Sequence, residues 1–173
     1  MITDRVWGEM YHVKGYILQI ELYTDNRRKR NRYGTYITIF CAIASAITSF
    51  FPDCKWGTIA ASIIVAACTI LKEWVPNIFQ PEDELKELDR IHDFYKDYFQ
   101  KLENLFMERH DSNSIVNDSV MRQQFNEIKN TEKDNETELN RLCRSLTKKE
   151  INTIKEQVNG YFNRTYQGIY NEE

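Results

Sequence analysis

Proline and glycine are scarce in this chain, three and six among 173 residues, and no glycine-rich loop of the phosphate-binding kind is present. The three histidines, His12, His92 and His110, stand far apart and form no His-x-x-x-His pair. The four cysteines, Cys41, Cys54, Cys68 and Cys143, lack zinc-ligand spacing, and two lie inside apolar segments, so neither a metal site nor a disulfide framework is expected. Also missing are a Gly-x-Ser-x-Gly elbow, a strand-like alternation and an internal repeat. The nearest thing to a chemical constellation is Asp89, His92 and Asp93 on one helical turn, and such i, i+3 and i, i+4 pairs are ordinary solvated-face chemistry. The chain is therefore expected not to be an enzyme, with no catalytic residue, no metal and no cofactor. A cleavable signal peptide is not expected either, because Asp4, Arg5, Glu9, Lys14, Glu21 and Asp25 interrupt the first 25 residues.

What is present is unevenly distributed. A charged fraction of 28% and a mean hydropathy of -0.60 suggest a soluble chain, but segment sums do not. Met1 to Arg32 carries seven basic and four acidic residues (+3), Tyr33 to Phe79 two and two (0), and Gln80 to Glu173 fourteen and twenty (-6). Between Tyr33 and Phe51 lie 19 residues without charge, YGTYITIFCAIASAITSFF, and Trp56 to Leu71 adds 16 more, WGTIAASIIVAACTIL. At about 1.5 Å per residue the first just crosses a hydrocarbon core of roughly 30 Å. The second is short, with Lys72 and Glu73 placed to snorkel. The pattern predicts a membrane hairpin over residues 33–79, with spans at about 33–51 and 56–75 and a turn at Pro52 to Lys55.

The basic run Arg27, Arg28, Lys29, Arg30 and Arg32 ends one residue before the first span, against a single Lys in the turn. That asymmetry predicts both termini on the cytoplasmic side of the membrane, and the adjoining span accounts for the run without invoking nucleic acid. Within the first span Thr35, Thr38, Ala42, Ser45 and Ser49 share a stripe, and Thr58, Ser62, Val65 and Thr69 keep the same rhythm in the second. Small and hydroxyl residues let membrane helices approach closely. If several hairpins assemble, the stripe instead faces a narrow lumen of weak ion selectivity, since it holds no charged ring.

The flanks are helical. In residues 1–32, Val6, Met10, Val13, Ile17 and Ile20 recur at helical spacing, weakened by Gly8 and Gly15. In residues 80–173, Pro81 and three acidic residues open a helix whose face Leu85, Leu88, Ile91 or His92, Tyr95, Tyr98, Leu102 and Leu105 spans nearly four coiled-coil heptads. A polar loop follows from His110 to Asp118. A weaker helix with a fraying middle, NTEKDNETE, comes next, and Thr147 and Glu150 then open a last helix with a capping box. The fold class expected is an all-α membrane protein: an N-terminal amphipathic helix, a two-helix transmembrane hairpin, and long C-terminal cytoplasmic helices.

This layout, with RRKRNRYGTYITIF entering the first span and FYKDYFQKLENLF in the following helix, resembles SLATT domains over roughly residues 5–110. The resemblance implies an oligomerising membrane effector of bacterial antiphage systems that perforates the inner membrane and causes abortive infection when triggered. The trigger is often a nucleotide signal, and with no fused sensor here it would come through a separate signalling or sensor protein. The expected partners are the lipid bilayer, further copies of the chain and that sensor. Two alternatives compete with it. One is a non-conducting two-span anchor whose cytoplasmic helices recruit a partner protein, and the other is a soluble bundle that buries both apolar segments.

Overall fold

Apolar residues three and four apart make the N-terminal segment a helix, and nothing after it stops that helix. The computed structural model, which describes residues 1–48, 55–74, 82–110, 117–143 and 145–167, shows α1 running unbroken over Ile2–Thr48. The amphipathic helix and the first apolar segment expected as separate elements are thus one rod of 47 residues, about 70 Å long at 1.5 Å per residue. No proline falls within it, and the Arg-rich run is compatible with helical backbone. The other helices are α2 (Lys55–Trp74), α3 (Glu82–His110), α4 (Asp118–Asn130), α5 (Lys133–Leu142) and α6 (Lys148–Thr165). Ser49 to Cys54, including most of the expected turn, lies outside the described residues, as do the Pro76 and Pro81 signals and loop residues 111–116.

The membrane hairpin is not supported. Among the described residues no helix is long and apolar enough to cross a membrane. In α1 the charge-free stretch begins after Arg32 and the described helix ends at Thr48. In α2 it is confined between Lys55 and Lys72. Each leaves 16 residues, roughly 24 Å of helix against a hydrocarbon core of about 30 Å, and the first is diluted by Gly34 and several Thr and Tyr residues. The two-span membrane fold is therefore corrected to a helical chain with no spanning helix among the described residues. The transmembrane and pore-forming assignments fall with it, and nothing in the structure supports the antiphage assignment.

The chain forms two compact units, one of Met1–Leu22 with Lys86–Glu173, the other of Tyr23–Leu85. In the first, α1 and α3 run antiparallel: Trp7 meets Phe106 at 5.2 Å, Lys14 lies 5.5 Å from the Phe99 ring, Tyr16 meets Tyr95 at 5.3 Å, and Glu21 reaches His92 at 3.1 Å. The partner number falls as the α1 number rises. Val6, Met10, Val13, Ile17 and Ile20 of α1 and Leu88, Ile91, Tyr95, Tyr98, Leu102 and Leu105 of α3 are all buried, on the faces expected from their spacing, and Ile2 extends the first of them. The α6 helix completes an aromatic core in which Trp7 packs edge-on to Phe162 at 4.8 Å and to Tyr166 at 5.4 Å.

Capping sets the smaller helices. The Asn117 side chain accepts from the amides of Ser119 (3.1 Å) and Val120 (3.0 Å) to start α4. Thr147 and Glu150 form the expected capping box at the start of α6. The weak helix expected after residue 118 is two helices, divided at Thr131 and Glu132, with Met121, Phe125, Leu139 and Leu142 turned inward.

Two substitutions check this packing in urea denaturation. Leu102→Ala removes a side chain with no exposed surface and is expected to cost about 2–5 kcal/mol. Gly15→Ala places a methyl where nothing lies within 4 Å, inside a helix, and is expected to stabilise the chain by about 0.5–1 kcal/mol.

Candidate interaction surface and buried polar cluster

The second unit holds the residues singled out for packing or pore lining, and it covers them poorly. On α1, Thr35 and Ala42 are exposed and Thr38 is half-buried; on α2, Ser62 is exposed. The Thr35 hydroxyl donates to the Asn31 carbonyl (3.0 Å) and that of Thr38 to Gly34 (2.8 Å), so both serve their own helix. Ser49, and the side chains of Ser45, Thr58 and Thr69, lie outside what the structure describes. Of the basic cluster, Arg28, Lys29, Arg30 and Arg32 are exposed, whereas Arg27 is buried, donating to the Tyr23 hydroxyl at 3.0 Å with its guanidinium 5.0 Å from that ring.

Around these residues stands a set of large apolar side chains without cover. Tyr33, Tyr36, Ile37, Ile39, Phe40, Ile43 and Ile47 of α1 and Trp56, Ile59, Ile63, Ile64 and Ile70 of α2 are each between 45% and 82% exposed. They sum to on the order of 1,000 Å² of apolar surface, at roughly 150–250 Å² for a large side chain. Patches on monomeric proteins are usually about 300–600 Å².

The first unit holds a cluster that no motif announced. Lys129, at the end of α4, places its ammonium 2.6 Å from Glu9 of α1 and 2.6 Å from Glu132 at the α4–α5 break. The Tyr98 hydroxyl of α3 donates to the same Glu9 carboxylate at 3.3 Å. Glu132 is 3% exposed. Burial pushes its carboxyl above the ordinary carboxylate value, outweighing the Lys129 hydrogen bond that favours its charge. Burial also opposes the Lys129 charge, but hydrogen bonds to Glu132 and Glu9 outweigh it and hold the ammonium above its usual range. Burial raises the Tyr95 and Tyr98 phenols well above theirs. The Tyr95 hydroxyl is buried and has no hydrogen-bond partner among the described residues.

A trace of this cluster was visible in the sequence. Met121, Phe125, Ile128, Glu132, Asn135, Leu139 and Leu142 keep an unbroken 4-3-4-3-4-3 register, and a glutamate at a core position of that register needs a buried partner. Which lysine supplies it is a matter of tertiary geometry. Asp89, His92 and Asp93 do not converge on an ion: His92 turns to Glu21 at 3.1 Å, and no group of three metal-ligating side chains occurs among the described residues.

The raised groups have one consequence for stability. Tyr95 and Tyr98 (ordinary value 10.0) and Lys129 (10.5) each contribute stability below those values that is lost as pH rises through their higher folded values. The urea midpoint is expected to hold to about pH 10 and fall steeply above it. Tyr95→Phe is expected to flatten that fall and, by deleting an unpaired buried hydroxyl, to add about 1–3 kcal/mol at pH 7. Comparison with family models, with curated proteins and with solved structures finds no match to this chain.

Proposed function

We propose that this chain is a self-assembling helical interaction protein whose second unit joins copies to one another. The observation that carries the reading is the uncovered apolar surface of α1 and α2 within that unit. An exposed area on the order of 1,000 Å² is comparable with the roughly 800 Å² per partner that a stable interface buries. From Tyr33 to Thr48 in α1 and from Trp56 to Leu71 in α2 there is no charge, so an ionic partner would find nothing to pair with. Exposed Ala42 and Ala46 on one helix and Gly57, Ala60, Ala66 and Ala67 on the other alternate with large apolar residues, so two such surfaces can interdigitate, large residues over small. Exposed Arg28, Lys29, Arg30 and Arg32 lie beside the apolar surface at the edge of such an interface, where charge keeps assembly finite rather than open-ended.

Sedimentation of the purified chain tests this. The parent is expected to run as an oligomer at micromolar concentration, and Phe40→Glu with Ile43→Asp is expected to give a monomer of unchanged helicity. A monomeric parent sinks the proposal, as does a double variant that still assembles. Recovery of the chain only from detergent-extracted membranes would also overturn it, by giving the surface to lipid.

A further inference from the structure

The break between α4 and α5 owes nothing to proline or glycine, and the Thr131 hydroxyl donates to the Ile128 carbonyl there at 2.7 Å. From Asn117 to Thr147 there is no proline and no glycine, and the two residues at the break, Thr131 (φ -80°, ψ -12°) and Glu132 (φ -81°, ψ -34°), both keep right-handed helical backbone. Their amides tighten by one residue, Thr131 to the Ile128 carbonyl at 3.1 Å and Glu132 to the Lys129 carbonyl at 3.2 Å. Glu132 stands at the N-cap of α5 yet its side chain makes no capping bond. Its carboxylate is instead drawn inward to Lys129, which also holds Glu9 of α1. The pull comes from the cluster.

The α4–α5 segment is otherwise lightly held. It buries Met121, Phe125, Leu139 and Leu142, whereas α1, α3 and α6 share an aromatic core of their own through Trp7, Phe99, Phe106, Phe162 and Tyr166. Lys129 is 45% exposed, so the ammonium is reachable from solvent while Glu132 beneath it, at 3%, is not. Removing its charge leaves two carboxylates facing each other beside the buried Tyr98 hydroxyl, an arrangement that hydration relieves.

We propose that α4–α5 is a strap closed by a single charge: Lys129, set between Glu9 and Glu132, latches it to α1 and α3, and loss of that charge opens the strap while α1, α3 and α6 stay packed. Opening hydrates Glu9 and Glu132 and uncovers the side of α3 that carries Tyr95 and Tyr98.

Hydrogen exchange measured by mass spectrometry on the full chain tests the strap. In Lys129→Met, amides of residues 118–142 are expected to exchange at least tenfold faster, with those of 2–20, 88–106 and 154–162 unchanged. The charge-balanced triple variant Glu9→Gln, Lys129→Met, Glu132→Gln is expected to regain most of the protection. Unchanged protection of 118–142 in Lys129→Met overturns the proposal, and so does uniform loosening of every helix or failure of that variant to fold, since the latch would then not be local. A triple variant as loose as Lys129→Met also overturns it, because the lysine stem rather than its charge would be holding the strap.

Discussion

The antiparallel seam between the first six turns of α1 and the middle of α3 is the contact on which the rest of the first unit depends. It joins residues some seventy to a hundred positions apart, such as Glu21 with His92 and Trp7 with Phe106, so its formation carries the loop-closure cost of the first unit. Once it is closed, α6 finds an aromatic ledge at Trp7 and Phe106, and α4–α5 finds Glu9 and Tyr98 on the adjoining side. Lys14 sits inside this arrangement, 4.0 Å from the Tyr161 ring, where desolvation lowers its pKa. This cation of α1 meets the aromatic faces of two further helices, α3 at Phe99 and α6 at Tyr161.

The two units solve burial differently. In the first, each helix turns its apolar stripe to a neighbour and leaves charge outside, which is the ordinary amphipathic solution. In the second, apolar residues occupy so much of each helix circumference that one partner helix cannot cover them. The uncovered remainder is why function is sought there rather than in a cleft. The polar groups of the first unit are paired mainly with one another, as in the Glu9–Lys129–Glu132 cluster and the Tyr166 hydroxyl donating to Glu103, and such pairs hold helices in register.

Much of the helical register was legible in the chain itself. The buried faces of α1 and α3, the capping box at Thr147 and the inward positions Ile154, Val158 and Phe162 of α6, with Tyr166 at its C-cap, follow from spacing, because a helix of 3.6 residues per turn converts sequence interval directly into direction, whereas Ile151, expected on the same α6 face, is 37% exposed. Two readings failed for identifiable reasons. Apolar content over 33–51 and 56–75 was read as two membrane spans, yet the described helices offer too short an uninterrupted run. The Arg-rich run was read as a boundary, yet five basic residues do not stop a helix whose backbone bonds continue beneath them, and α1 passes straight through.

What the sequence determined by itself is therefore local and periodic: helical secondary structure, the inward faces of the long helices, and the capping box at Thr147, since each depends on residues within a few positions of one another. What only the tertiary structure decided is which faces meet, that α4 and α5 part at Glu132, and that Lys129 lies between Glu9 and Glu132. Glu9 and Lys129 are 120 residues apart, and no spacing rule relates them. They are neighbours because α1, α3 and α4 bury their apolar stripes together, and the cost of isolating a charge in that interior selects the partner.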